Sequence, residues 1–97
     1  MVYTCYILYS KKIDKYYIGF THNNLESRIL KHNVAEYVGS FTRTTDDWNV
    51  FLIIECSSSS QALAIEKHIK KMKSRVYIQN LKLYPEMVEK LKNKYSK

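Results

Sequence analysis

The chain has 97 residues, of which 45% are hydrophobic and 26% are charged, and its net charge is +7. This length suits one modest core, so we expect residues 1–97 to form a single domain. No apolar run is long enough for a transmembrane helix, and the first residues lack the pattern of a signal peptide. The excess of basic residues favours a polyanionic partner, with nucleic acid the first candidate, rather than a membrane.

Cysteine usage indicates the compartment. Cys5 and Cys56 are the only two cysteines, and both lie in apolar stretches. Two lone cysteines without a nearby histidine pair make a poor zinc site, and a pair of buried thiols suits a reducing environment better than a disulfide scaffold does. We therefore expect both cysteines to behave as small buried apolar residues, and we expect the protein to be cytoplasmic.

The first half of the chain predicts a hairpin followed by a helix. Residues 2–9 form a continuous β-branched and aromatic run, which is typical of a buried central strand. After a short polar turn, residues 16–20 predict a second strand, so the two strands should pair as an antiparallel hairpin. Asn23 and Glu26 have the spacing of a capping box, and they predict a helix over residues 24–35.

The second half predicts a third strand and further helices. Residues 50–56 are apolar enough for another central strand, and Ser58 with Gln61 then forms a second capping box. The helix that follows has its apolar face at helical spacing, formed by Ala62, Ile65, Ile69 and Met72. The pattern blurs after residue 72, resumes over residues 76–83, and is followed by a basic helix at 86–94. The order β-β-α-β-α-α predicts an α+β fold with a three-stranded antiparallel sheet flanked by helices.

Five polar side chains are candidates for chemistry. Tyr6 and Tyr17 lie on strands joined by a short turn, so they share one site if they emerge on one face of the sheet. Arg28 and His32 are four residues apart and share one face of their helix. Glu66 interrupts an apolar and basic helix, and it precedes the basic residues Lys67, Lys70, Lys71, Lys73 and Arg75.

Each candidate also has an ordinary structural explanation when it is taken alone. The tyrosines are common strand aromatics, and the arginine and histidine suit a solvated helix face. Glu66 and Lys70 have the i,i+4 spacing of a surface ion pair. Gly19 is expected to permit a close approach of the backbone, Tyr16 is assigned to the core, and His68 is assigned to the surface.

Four sequence blocks change this balance when they are taken together. They are Thr4-Cys5-Tyr6 followed by Ile7-Leu8, YYIGFT at 16–21, LESRILKHN at 25–33, and ALAIEKHIKKMKSR at 62–75. In this order they resemble the GIY-YIG nuclease superfamily, and most closely its small stand-alone bacterial members with a single domain. Thr4 and Cys5 replace the glycine and isoleucine of the first family motif, whereas its tyrosine is retained.

The resemblance implies a GIY-YIG-like fold, a phosphodiester-hydrolysing endonuclease and a role for each candidate. Glu66 would bind one Mg²⁺ or Mn²⁺ ion. Arg28 would stabilise negative charge on the scissile phosphate, and Tyr6 and Tyr17 would position or deprotonate the attacking water. His32 would assist proton transfer or hold a phosphate oxygen. Because all five positions match the family, we expect these side chains to converge on one solvent-accessible face of the sheet.

The distribution of carboxylates favours one metal ion over two. A two-metal site needs several converging carboxylates. Asp46 and Asp47 are adjacent in a polar loop, and no other carboxylate lies near Glu66 in the sequence. A single ion held by one glutamate and by water suits Mg²⁺. Asn80 is a further candidate, because the family often has a functional asparagine after the glutamate helix.

The expected substrate is DNA, cut according to its structure. The chain contains no helix-turn-helix or zinc-finger motif, and the basic residues after Glu66 would hold the phosphate backbone without reading bases. Branched, flapped or damaged DNA of the kind met in repair or recombination is therefore the expected substrate. The alternatives are a catalytically weak or inactive nucleic-acid-binding module of the same fold, and an RNA-binding accessory protein. Membership of a larger repair complex is left open.

Overall fold

The computed structural model describes residues 3–21 and 45–96 of the chain. Its elements in chain order are β1 (Tyr3–Ser10), β2 (Lys15–Thr21), β3 (Asn49–Cys56), α1 (Ser59–Met72), α2 (Arg75–Leu83) and α3 (Pro85–Lys94). The predicted helix over residues 24–35, with Arg28 and His32, lies outside the described residues. None of the described helices is both long and apolar enough to cross a bilayer.

The three strands form one antiparallel sheet in the order β2-β1-β3. Strand β1 is central, as its sequence predicted. The expectation that β3 would be central as well is wrong: β3 lies at the other edge of the described sheet, and its Val50 and Ile53 are 41% and 46% exposed. Asp14 ends the turn between β1 and β2 with a left-handed backbone (φ 52°), a conformation that aspartate tolerates better than most residues do. The predicted α+β architecture, with an antiparallel three-stranded sheet and flanking helices, is confirmed.

The main core lies between the sheet and the three helices. Strand alternation directs Cys5 and Ile7 to this side. The buried cluster consists of Cys5, Ile7, Ile54, Cys56, Ala62, Ile65, Ile69, Ile78, Leu81 and Leu91. Both cysteines are free and buried, as predicted. Burial raises the pKa of the Cys5 thiol strongly, with Cys56 adding to the rise, so Cys5 is a packing residue with little thiolate character.

The start of α1 has the predicted cap by Ser58, but the return hydrogen bond of the capping box goes to a different residue. Ser58 Oγ accepts a hydrogen bond from the Gln61 backbone N–H at 3.1 Å. The side-chain oxygen of Gln61, Oε1, accepts from the backbone N–H of Ser57 at 2.7 Å instead of from that of Ser58. Gln61 Nε2 also donates to the Lys92 carbonyl oxygen at 2.8 Å, so this side chain joins the start of α1 to α3.

The helical pattern blurs after residue 72 because the chain turns there. Lys73 adopts a left-handed conformation (φ 48°) and ends α1, and Ser74 then caps α2 by accepting from the Tyr77 N–H at 3.1 Å. Met72, expected on the apolar face, is 45% exposed. Its sequence spacing fits the apolar stripe, but α1 ends at this residue, and Met72 lines a surface groove together with Lys94 and Tyr95.

Candidate active site

Tyr6 and Tyr17 lie on the sheet face opposite the helical core. The register pairs Tyr6 with Gly19 and Leu8 with Tyr17, and directly paired residues point to the same face. Tyr6, Leu8 and Trp48 form a second buried cluster there, with Tyr17 packed against it. The Tyr17 and Trp48 ring centroids are 6.2 Å apart. The two tyrosines therefore emerge on one face, the condition that a shared site required.

Gly19 makes room for the Tyr6 ring. A Cβ built on Gly19 would lie 2.5 Å from Tyr6 Oη and 2.6 Å from Tyr6 Cζ. No side chain longer than hydrogen fits at Gly19 without moving this ring. The hydroxyl of Tyr6 therefore lies over Gly19 of β2, the strand at one edge of the described sheet. Tyr6 is completely buried in this position, so access of solvent to it, which we expected, is not observed.

Glu66 approaches from the other side of the sheet. Its helix, α1, packs Ile65 and Ile69 on the core that contains Cys5. Since Tyr6 follows Cys5 on the strand, it points to the opposite face. The expectation that all candidates share one sheet face is therefore wrong for Tyr6 and Glu66. The sheet separates them because the apolar stripe of α1 fixes which face this helix covers.

Lys70 connects Glu66 to Tyr17 beside β2. The Lys70 ammonium lies 3.3 Å from Glu66 Oε2, and the Glu66 side chain keeps only 14% of its surface exposed. The same Lys70 nitrogen lies 6.0 Å from the centroid of the Tyr17 ring, within the range of a cation–π contact. The Glu66 carboxylate, the Lys70 ammonium and the Tyr17 ring thus form a row of contacts beside β2. At this edge of the sheet, side chains from both faces can contribute to one site.

Glu66 is a suitable carboxylate for a hard divalent cation. Within residues 3–21 and 45–96, no group of three or more histidine, cysteine or acidic side chains is placed to hold a metal ion. An ion at Glu66 would therefore take its remaining ligands from water and from substrate oxygens, as Mg²⁺ readily does. Lys70 would have to release the carboxylate oxygen that it now contacts.

The two neighbouring aspartates stabilise the β1–β2 turn. Asp47 accepts hydrogen bonds from Ser10 Oγ, from Thr45 Oγ1 at 2.6 Å and from the Lys12 N–H at 3.1 Å. These bonds, the one from Ser10 first, lower the pKa of Asp47 to about 2. Asp46 pairs with the Lys12 ammonium at 2.6 Å. Both carboxylates are thus engaged at the turn.

Arg75, which we expected to bind nucleic acid, is held by the same turn. Its guanidinium donates to the two Asp14 carboxylate oxygens at 2.6 and 3.1 Å and to the Asp14 carbonyl oxygen at 3.1 Å. It also lies 5.4 Å from the centroid of the Tyr16 ring. The Arg75 bonds, followed by one from Tyr9, lower the pKa of Asp14 to about 2. Arg75 therefore fixes the start of α2 to the hairpin.

The remaining basic residues divide between two sides of α1. Lys70 and Lys73 lie on the Glu66 side and line a cleft of about 290 Å³ with Lys15 and Ser74. Lys67 and Lys71 lie on the other side. Lys15 was missed by sequence reasoning, because only the paired hairpin brings the start of β2 next to the end of α1.

Asn80 lies on α2 and is partly buried. Its carbonyl oxygen accepts the Tyr84 N–H at 2.8 Å and so helps to end that helix. No hydrogen bond among the described residues joins its side chain to Glu66, so its suggested functional role stays a prediction.

Comparison with known proteins decides the family. A family model described as the GIY-YIG catalytic domain matches residues 2–81. The chain belongs to the GIY-YIG family. GIY-YIG domains are nucleases that generally use divalent metal ions, so this chain has a nuclease-type domain for which nucleic acid is the general class of substrate. Neither the curated proteins nor the solved structures gave a match. Helix α3 (Pro85–Lys94) follows the segment that the family model covers.

Proposed function

We propose that this GIY-YIG chain is a metal-dependent endonuclease that hydrolyses DNA phosphodiester bonds at structural features such as flaps or branches, as in repair or recombination. The observation that carries the proposal is the position of Glu66. It is a mostly buried carboxylate beside β2, and Lys70 links it to the family tyrosine Tyr17. Its present cation partner is Lys70, and a divalent ion that displaced Lys70 would keep the buried carboxylate paired.

The chemistry requires charge neutralisation at the phosphate and an oriented water. Glu66 would hold a single Mg²⁺ or Mn²⁺ ion, which when bound supplies charge neutralisation and water activation. Lys70, displaced from Glu66, would contact a phosphate oxygen. Tyr17, a partly exposed residue, would orient the attacking water through its hydroxyl. Buried Tyr6 would act as a positioning residue through its packing over Gly19.

Arg28 and His32 complete the proposed machinery. Their expected roles are stabilisation of phosphate charge and assistance of proton transfer. These roles rest on the match of the family model, which spans both residues.

Binding that does not depend on base sequence is supported by the type of contacts that the described surface offers. Exposed lysines near the cleft, Lys15 and Lys73, suit phosphate oxygens, which are the same for every sequence. The two buried free thiols support a cytoplasmic location, because disulfides are rare in a reducing compartment.

A binding-only module of the same fold is the second candidate. Two observations favour it: Tyr6 is completely buried, and Lys70 occupies one oxygen of Glu66. RNA is the alternative substrate or partner in either case, since phosphate contacts do not distinguish it from DNA.

The test is a cleavage screen with Mg²⁺ and with Mn²⁺ on linear, nicked, flapped and branched DNA and on RNA. Glu66→Gln should reduce the cleavage rate by more than the ~10²–10³ typical of losing one transition-state donor, because it removes the charge that holds the metal. Folding and nucleic-acid binding should persist in this variant, since the amide keeps the size of the side chain.

The matched control is Glu89→Gln, which removes another helix carboxylate that pairs with a lysine, Lys92 at 3.8 Å. It should cleave as the wild type does. Unaltered cleavage by Glu66→Gln would refute the proposed mechanism. Binding without cleavage by the wild type on every substrate would favour the binding-only module.

A further inference from the structure

A groove between α1 and α3 carries a second basic surface. It has a volume of about 660 Å³, within the range of ~300–1,000 Å³ typical of ligand sites. Its lining residues, the α1–α3 groove, are Ala64, Lys67, His68, Lys71, Met72, Lys94 and Tyr95. Three are lysines and none is acidic, so the groove complements a polyanion.

The groove is separate from the candidate active site. At ~100° per residue, Glu66 and Lys70 occupy one side of α1, whereas its groove-lining residues at positions 64–71 are centred roughly 130° away around the helix. Lys94 and Tyr95 come from the segment that follows the family match at residues 2–81. The groove therefore includes residues outside the segment that the family model matches.

The floor of the α1–α3 groove is apolar and aromatic. His68 Nδ1 and Tyr95 Oη are 3.0 Å apart, and the two rings meet edge to face with centroids 5.9 Å apart. Burial, followed by the charges of Lys94 and Lys71, lowers the pKa of His68. The lowered pKa favours the neutral imidazole, and the exposed Met72 side chain adds apolar surface. His68, assigned to the surface from sequence, is thus part of an ordered aromatic pair.

We propose that the α1–α3 groove binds a single-stranded segment of nucleic acid. Lysines on both rims suit the phosphates, and an apolar aromatic floor suits unpaired bases, a combination typical of single-strand grooves. Paired bases in a duplex would leave this floor without a partner. The inference rests on the proposed nucleic-acid function, and it adds a holding site for an unpaired arm of the substrate, outside the site of cleavage.

The test measures binding of a short fluorescent single strand and of the matching duplex by anisotropy, without divalent metal, over a range of salt. The groove variant combines Lys67→Ala with Lys71→Ala. Each single-strand phosphate contact contributes about −0.7 to the slope of log K against log salt. Loss of two contacts should reduce the slope by about 1.4 and weaken single-strand binding about 25-fold at about 0.1 M salt. Both lysines are exposed, so folding should be unaffected.

The matched control combines Lys11→Ala with Lys82→Ala, which removes the same charge outside the groove. It should bind the single strand with less than about 3-fold loss, since only long-range charge changes. A second pair adds a carboxylate at partly exposed apolar positions. Met72→Glu, within the groove, should weaken single-strand binding about tenfold, whereas Val76→Glu on α2 should leave it near the wild-type value.

The outcomes separate this inference from the proposed function. Equal loss in the groove and control variants overturns the groove as a binding surface, whether or not the wild type cleaves DNA. The proposal is also overturned if the protein binds the duplex as tightly as the single strand, or if it binds an acidic protein and no nucleic acid. Selective loss of single-strand binding in the groove variants supports it, even if Glu66→Gln shows that cleavage proceeds by another mechanism.

Discussion

Gly19→Ala should destabilise the protein through one side chain, that of Tyr6. The added Cβ would lie 2.5 Å from Tyr6 Oη and 2.6 Å from Cζ, where ordinary contact begins at about 3.4 Å. The ring must therefore retreat by about 0.9 Å. Tyr6 is completely buried and its ring is rigid, so the surrounding cluster of Leu8 and Trp48 must move as well.

The expected cost follows from two opposing effects. Overpacking of a filled core costs about 1–3 kcal/mol. Alanine restricts the unfolded chain more than glycine does, which returns about 0.5–1 kcal/mol. The two ranges differ by about 0–2.5 kcal/mol, so the net loss should be near the middle, about 1 kcal/mol, or a melting temperature lower by about 4–8 °C for a chain of this size. If the protein cleaves DNA, a shift of nearly 1 Å in a positioning residue should cost up to about 100-fold in rate.

Urea denaturation of a double-mutant cycle measures this effect. In a Tyr6→Leu background the clash is absent, so Gly19→Ala should be neutral or stabilising by up to about 1 kcal/mol. The coupling free energy between positions 6 and 19 should be about 1–3 kcal/mol. Equal destabilisation in both backgrounds would show that glycine at position 19 is needed for the backbone of β2 and not for the space that the Tyr6 ring occupies. A wild-type stability for Gly19→Ala would refute the packing argument altogether.

Two further stability predictions concern the turn and the first helix. The hydrogen bonds that Asp47 accepts, with the bond from Ser10 first, lower its pKa to about 2. The contribution of the Asp47 carboxylate to folding stability is therefore complete above the unfolded pKa near ~3.9, and it is lost as pH falls toward about 2. Urea midpoints should show Asp47→Asn destabilised at pH 6 but close to the wild type near about pH 2; a constant difference would contradict this. Ser58→Ala should cost about 1 kcal/mol by removing the cap of α1, whereas Ser59→Ala, one residue into the helix, should be nearly neutral in the same assay. Equal effects of the two serines would argue against the cap.

The local signals of the sequence were sufficient for the elements and for the family. The apolar run of β1 predicted a central strand because a strand buried on both faces needs apolar side chains on both. Ser58 predicted the start of α1 because its side chain satisfies a free helix N–H within four residues. The family motifs are short, contiguous blocks, so no tertiary structure was needed to find them.

The packing of the elements decided the arrangement of the site. Sequence spacing put Glu66 next to the apolar stripe of α1, but it could not say which sheet face that stripe covers. The choice depends on which side of the sheet has the better apolar surface, and Cys5 and Ile7 supply it. Tyr6 and Glu66 consequently lie on opposite faces, and the β2 edge replaces a sheet face as the place where Lys70 joins the two sides.

The charged residues show the same division between sequence and structure. The sequence alone determined that the chain is basic, that its lysines cluster after Glu66, and that one arginine ends this cluster. Only the tertiary structure showed that Arg75 pairs with Asp14, which lies 61 positions earlier in the chain. Only the tertiary structure placed Lys71 and Lys94 in the same groove. Helix periodicity and caps are set by neighbours in the chain, whereas the partner of a long charged side chain is set by whichever distant backbone the core brings within its reach.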